Sequence, residues 1–210
     1  MTYRFLRLAA CTTMMLPVLL VISSPARSAV FVYTTTLSGA AESPPNSSAG
    51  TGTGYVVYDD LAHTLQVQIS FNGLTGQTTA AHIHSATAIA GAGTAGVATA
   101  TPSFPGFPLG VTSGSYNQLF DLTLASSYSQ AFVTASGSIA SAETSLISGM
   151  DAGKAYLNVH TTASPGGEIR GFLALQSAVP EPMTWGMFVS GFGLIGAAMR
   201  RRHQGSIRFA

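Results

Sequence analysis

The chain has 210 residues, of which 46% are apolar and only 8% charged, against roughly a quarter charged in an ordinary soluble domain. That shortage points to one globular domain joined to something non-globular. The net charge of +1 hides a division: both ends are basic, while residues 29–178 carry only Lys154 and Arg170 against seven acidic residues. A domain so short of cations cannot assemble the basic patch that neutralises phosphates, which excludes nucleic-acid binding.

Residues 1–28 have the three parts of an export signal. Arg4 and Arg7 precede an apolar run from Leu8 to Ile22, Ser23-Ser24-Pro25 breaks that run, and Ala26-Arg27-Ser28 is a small-x-small site for cleavage by signal peptidase between Ser28 and Ala29. The only cysteine, Cys11, lies inside this segment. The mature chain is then expected to have neither disulfides nor thiolate ligands, so its stability must come from its core.

Residues 29–178 read as one β-rich domain. The run from His63 to Phe71 places Leu65, Val67, Ile69 and Phe71 on one face and Thr64, Gln66, Gln68 and Ser70 on the other, the signature of a half-buried strand. Weaker alternation predicts strands over Phe31 to Leu37, Tyr55 to Tyr58, Ala80 to His84, Phe120 to Leu124, Lys154 to His160 and Ile169 to Leu175. Gly50-Thr51-Gly52-Thr53-Gly54 reads as a turn leading into a strand, and Ala86 to Gly114 as long loops around one weak strand near Val97. Only Ser141 to Met150 suggests a short helix. About seven strands with so little helix predict an all-β fold, an antiparallel sandwich or barrel.

The tail, residues 179–210, opens with Val179-Pro180-Glu181-Pro182, continues as an apolar stretch over 183–199, and ends in Arg200-Arg201-Arg202 and eight further residues. Seventeen helical residues at about 1.5 Å each reach roughly 26 Å, enough to cross a bilayer core. The arginines would stay cytoplasmic and leave everything before Val179 on the far side, the orientation that the export signal also predicts. The Pro-Glu-Pro, short span and arginine cluster resemble the PEP-CTERM sorting signal. That resemblance implies an exported protein of a Gram-negative bacterium, anchored transiently in the inner membrane, processed by an exosortase, and then placed at the cell surface or outside it. Exopolysaccharide or other surface proteins are the partners such a placement suggests.

Three blocks of the domain carry a second resemblance: Leu37-Ser38-Gly39-Ala40-Ala41-Glu42-Ser43-Pro44-Pro45, then Ala81-His82-Ile83-His84, then Tyr156 to Thr161 followed by Pro165 to Gly171. Together they resemble the CHRD domain. The resemblance implies an immunoglobulin-like β architecture, and in bacteria an exported protein.

Residues two apart on a strand share a face, so His82 and His84 point together, opposite Ala81 and Ile83. By the same parity His160 leaves its strand with Tyr156 and Asn158, opposite Leu157 and Val159. Two imidazoles at i and i+2 start about 7 Å apart and converge on one ion if a third ligand completes the set. His160 is the candidate third ligand and Glu168 a candidate carboxylate, with Asp151 a weaker one; zinc or copper is the ion such a set would take. The reading that comes first is a purely structural role, with the imidazoles hydrogen-bonding neighbouring strands and loops, and the metal set comes second. His63 reads as a solvated turn residue, and Glu168 with Arg170 as a surface ion pair on one strand face.

No nucleophile elbow, phosphate-cradling glycine loop, cysteine nucleophile or pair of catalytic carboxylates is present in the sequence. The function expected is therefore non-catalytic: an exported surface or matrix β-domain with a structural or binding role, to which a metal held through the outward histidines would be an addition. The competing class is a metal-dependent oxidoreductase, by analogy of the His-x-His on a β-barrel with copper-zinc superoxide dismutases.

Overall fold

A computed structural model describes residues 29–176, together with residues 192 and 200. The signal peptide expected over 1–28 and the sorting residues Val179, Pro180, Glu181, Pro182, Arg201 and Arg202 lie outside the described residues. Among the described residues, no helix is long and apolar enough to cross a membrane.

Eight strands occur in chain order: β1 (Val30–Ser38), β2 (Thr51–Asp59), β3 (Thr64–Asn72), β4 (Thr78–His84), β5 (Gly114–Asp121), β6 (Tyr156–Thr161), β7 (Ile169–Phe172) and β8 (Ala174–Leu175). Two helices, α1 (Gln130–Ser136) and α2 (Ile139–Asp151), fall between β5 and β6. Every strand pairing is antiparallel, and the order β4-β6-β7-β1-β2-β3-β5 makes one continuous sheet, with β8 added beside β1. The expected all-β architecture is present as a single curled sheet, a half-barrel, in which β7 meets β1 through one register pair, Ser38 with Arg170.

The strand alternation read from the sequence drives this curl. Leu65, Val67, Ile69 and Phe71 of β3 are all buried, as are Ala81 and Ile83 of β4 and Leu157 and Val159 of β6. These inward rows form one core with Leu146 and Met150 of α2 and with Phe104 and Phe107 of the long loop. The glycines of β2 let the two halves of the sheet close on each other. A Cβ on Gly54 would stand 2.8 Å from Leu157 Cδ2, and one on Gly52 would stand 2.8 Å from the Ser70 carbonyl. Residues 51–54 are accordingly strand and not the expected turn: they are glycine-rich because β6 and β7 pack across them.

Other expectations are corrected locally. The strand expected over Phe120 to Leu124 is instead Gly114–Asp121, because the Asp121 carboxylate accepts from the Thr123 amide (2.9 Å) and hydroxyl (2.6 Å) and turns the chain. The last strand breaks in two at Leu173, which is buried, whereas Leu175 is exposed. The helix α1 was not foreseen, yet its ends have ordinary signals: the Ser129 hydroxyl accepts from the Phe132 amide, and Gly137 closes the helix at a φ of 88°.

The loop 85–113 forms only isolated bridges, Val97 pairing with His84. It runs along the free edge of β4, where Ala98 donates to the Ile83 carbonyl (2.9 Å) and Phe104 to that of Ala81 (3.1 Å). An edge covered in this way cannot pair with another chain. The same loop turns its own carbonyls toward the histidines.

Candidate metal centre

His82 and His84 lie on β4 and His160 on the adjoining β6, where His82 is opposite Asn158, His84 is opposite Tyr156, and Ala80 is opposite His160. All three imidazoles are on the face away from the core, as strand parity requires. That face is largely covered: His82 is 6% exposed and His84 8%, while His160 is only half-buried. The ring centroids are 5.2 Å apart for His82 and His160, and 5.8 Å for each of the other two pairs.

Each ring spends one nitrogen on the backbone. His82 Nε2 is 2.7 Å from the Pro102 carbonyl, His84 Nδ1 is 3.0 Å from that of Ala95, and His160 Nδ1 is 2.9 Å from that of Pro165. A carbonyl oxygen can only accept, so each of these nitrogens carries the proton and donates. The tautomer of every ring follows, and the opposite nitrogen is left as a bare lone pair. Those opposite nitrogens, His82 Nδ1, His84 Nε2 and His160 Nε2, are buried and have no hydrogen-bond partner. The three residues offer ligand atoms that all lie within 4.8 Å of one another. Three bonds of about 2 Å to one ion need about 3.5 Å between nitrogens, so the rings must draw together by up to about 1.3 Å to hold one.

Burial pushes the His84 imidazole down to about 4, against the bond to Ala95 and with help from His160, His82 and Arg170. Burial also holds His82 below its ordinary value, opposed by the bond to Pro102, and it lowers His160 against the bond to Pro165. The rings are therefore neutral at neutral pH, the state a ligand needs.

Glu168 is not brought to this group. It is fully buried and accepts from Ser48 Oγ (2.6 Å), Thr161 Oγ1 (2.5 Å) and the amides of Thr75 (2.5 Å) and Gly76 (3.1 Å). Burial raises its carboxyl, but these four donors outweigh that and hold it below the usual range. It ties the loop after β3 to the turn before β7. Asp151 is also elsewhere, accepting from the Tyr33 hydroxyl at 2.5 Å. His63 stands in the β2–β3 turn at a φ of 51°, as expected of a turn residue, but its Nδ1 is held 2.9 Å from Glu143.

Arg170 is a further departure from expectation. It is 3% exposed and does not pair with Glu168. Its Nε donates to the Ala41 carbonyl (2.6 Å) and Nη1 to that of Gly93 (2.9 Å), with Glu42 Oε2 3.7 Å from Nε. Its guanidinium lies 4.7 Å from the centre of the Tyr156 ring, and Tyr156 in turn stacks on His84 at 4.8 Å with 4° between planes. Tyr156 and Asn158 share the face of His160 by parity, which the sequence made legible. The Arg170 contacts to residues 41, 42 and 93 are long-range and have no local signal.

The site is thus a three-histidine cluster, largely covered by a loop, on the outer face of an all-β half-barrel. The CHRD domain family matches residues 33–173, more than half of the chain. The chain belongs to that family. Comparison with curated proteins and with solved structures gives no match.

Proposed function

We propose that this CHRD protein is an exported, non-catalytic β-domain that holds one transition-metal ion, zinc or copper, on His82, His84 and His160. The observation that supports the reading is the arrangement of the imidazole nitrogens: all three protonated nitrogens are spent on carbonyls, and all three lone pairs are left buried and unpartnered side by side. A purely hydrogen-bonding role would not leave three acceptors without donors, because an unsatisfied buried polar atom costs about 1–3 kcal/mol. The carbonyls bonded to the far side of each ring fix the orientation in which its lone pair is presented.

The test is metal analysis of protein purified without a metal-binding tag, followed by zinc and copper titration during thermal unfolding. An ion bound only by the folded state, at a hundredfold above its dissociation constant, adds about 2.7 kcal/mol. His82→Gln or His84→Gln should abolish that gain, and His63→Gln should leave it intact. A transition indifferent to both ions would sink the metal reading. The oxidoreductase reading, by likeness to copper-zinc superoxide dismutase, makes a separate demand: the loaded protein must consume superoxide faster than its metal-free form.

Export and processing complete the proposal. Cleavage between Ser28 and Ala29 would leave the new amino group against Asp60, whose Oδ1 is 2.7 Å from the Ala29 nitrogen. An exosortase would then remove the segment near Val179-Pro180-Glu181-Pro182, and the domain would reside at the cell surface or among exopolysaccharide. Intact mass of secreted or surface material is decisive, since a mass that retains residues 183–199 would instead leave a membrane-anchored protein.

A further inference from the structure

The three imidazoles, if they are the ligands proposed above, make a site with no anion in it. Among the described residues the group of convergent ligand atoms contains no aspartate, glutamate or cysteine. The nearby charge is of the wrong sign for a cation. Arg170 is held rigidly by two carbonyls and stacks on Tyr156, which stacks on His84. Its guanidinium is felt at His84 and works against a positive charge there.

The two carboxylates of this region do not repair the deficit. Glu42 Oε2 is 3.7 Å from Arg170 Nε, and burial raises its carboxyl to about 7, against the pull of Arg170 and its own bond to the Ser43 amide, so it offsets the guanidinium charge only in part and offers no atom to the three rings. Glu168 keeps its charge, but four donors already occupy it.

The cost of placing an ion in such a largely buried pocket without an anion rises as the square of its charge, so a divalent ion costs about four times a monovalent one. Coordination number points the same way. The three lone pairs are closed to solvent, whereas structural zinc sites are four-coordinate and zinc sites with three protein ligands keep a water in the fourth position. Copper in its monovalent state accepts three neutral nitrogens in a plane without a fourth ligand. Imidazole suits both copper and zinc, so charge and coordination number decide, not ligand softness.

We infer that the ion selected by His82, His84 and His160 is monovalent copper, with Arg170 as the residue that biases the site against divalent ions. The inference rests on the three-histidine reading and goes further by naming the oxidation state. In this arrangement Tyr156 transmits no ligand of its own; it holds the guanidinium one ring away from the metal.

The experiment is a competition on the full chain, under exclusion of oxygen, between a chromogenic copper(I) chelator and the protein, set against zinc(II) binding measured with a zinc indicator. Copper(I) should bind at least about a hundredfold more tightly than zinc(II). Copper(I) should also bind about a hundredfold more tightly than copper(II), a separate expectation that places the potential of bound copper about 120 mV above that of the aqueous couple at 59 mV per tenfold. Arg170→Gln should narrow both gaps by raising affinity for the divalent ions. Should that buried substitution unfold the chain, the two measurements on the unaltered protein still decide. Zinc(II) or copper(II) binding as tightly as copper(I) overturns the choice of oxidation state while leaving the three-histidine site standing. Failure of every ion to bind removes the site itself, and the inference with it.

Discussion

Glu168 accepts a hydrogen bond from Thr161 Oγ1 at 2.5 Å, across the turn that joins β6 to β7. The same carboxylate takes Ser48 Oγ and the amides of Thr75 and Gly76, so one side chain joins three separate loops at the end of the sheet. Glu168→Ala would leave two buried donors, the Gly76 amide and Thr161 Oγ1, and two partly buried ones without an acceptor, and should cost about 3 kcal/mol of unfolding free energy. Because the folded carboxyl lies below its ordinary value of 4.5, the unfolded chain binds the proton more readily. The stabilisation is therefore complete above pH 4.5 and lost as pH falls below it. Urea unfolding at pH 7 measures the loss. Metal affinity of the folded remainder should be unchanged, and a drop equal to that of His82→Gln would return Glu168 to the ligand set.

The strands were legible where side chains alternate, because one buried face forces a period of two; Leu65 to Phe71 is the clearest case. The histidine parity follows from the same rule, which by itself puts His82, His84 and His160 on one face. What was not legible is what covers that face. The carbonyls of Ala95, Pro102 and Pro165 come from loops whose path no periodicity encodes. Glu168 and Arg170 were read as a pair because they share a strand face, yet neighbours from residues 41–48, 75–76 and 93 claim them separately. Short-range spacing cannot anticipate such partners.

The pH response of the metal-free protein follows from the buried rings. Below pH 6.5 the unfolded chain protonates its imidazoles, while the folded chain keeps His84 neutral down to about 4. The unfolded state then binds more protons, so stability falls as pH drops from 6.5 toward 4. His84 alone accounts for up to about 3 kcal/mol of that loss. Chemical unfolding between pH 7 and 4.5 should show the decline, and His84→Gln should flatten it. Metal release by acid should share this window, with its midpoint below 6.5.

His63 should behave in the opposite sense. Its hydrogen bond to Glu143 raises its value, as does the charge of that carboxylate, so its contribution is fully present below pH 6.5 and fades as pH rises through the raised folded value. Proton NMR titration of the folded, metal-free protein should therefore separate the histidines into one group above 6.5 and another below. A common midpoint for His63 and His84 would contradict the burial described for the site.

Gly171 tests the close approach of β7 to β1. A Cβ there would collide with the Thr35 hydroxyl and the Thr36 carbonyl, and a backbone oxygen cannot swing aside as a side chain can. Gly171→Ala should cost about 1–3 kcal/mol. Gly166, which has nothing within 4 Å of its Cβ position, is the matched control, and its alanine variant should stay within about 0.5 kcal/mol of the parent.

The final strand pair decides where the core ends. A chain from Ala29 to Gln176 includes all eight strands and should fold cooperatively with a β-rich circular dichroism spectrum. Stopping at Gly166 removes β7 and β8, and with them the fully buried Ile169 and the almost fully buried Leu173. The exposed Leu175 contributes little to that loss. Two buried aliphatic side chains contribute about 1.5–3 kcal/mol each by transfer alone. The truncation also deletes Glu168, leaving Ser48, Thr75, Gly76 and Thr161 without their acceptor, and separates β6 from β1, since β7 lies between them in the sheet. The combined loss reaches the 5–15 kcal/mol that holds a whole domain together, so the shortened chain should be unfolded, and its histidines should bind neither copper nor zinc with the affinity of the longer one. Cooperative unfolding of the shortened chain would show that β1, β2, β3 and β5 with the helices form a core of their own.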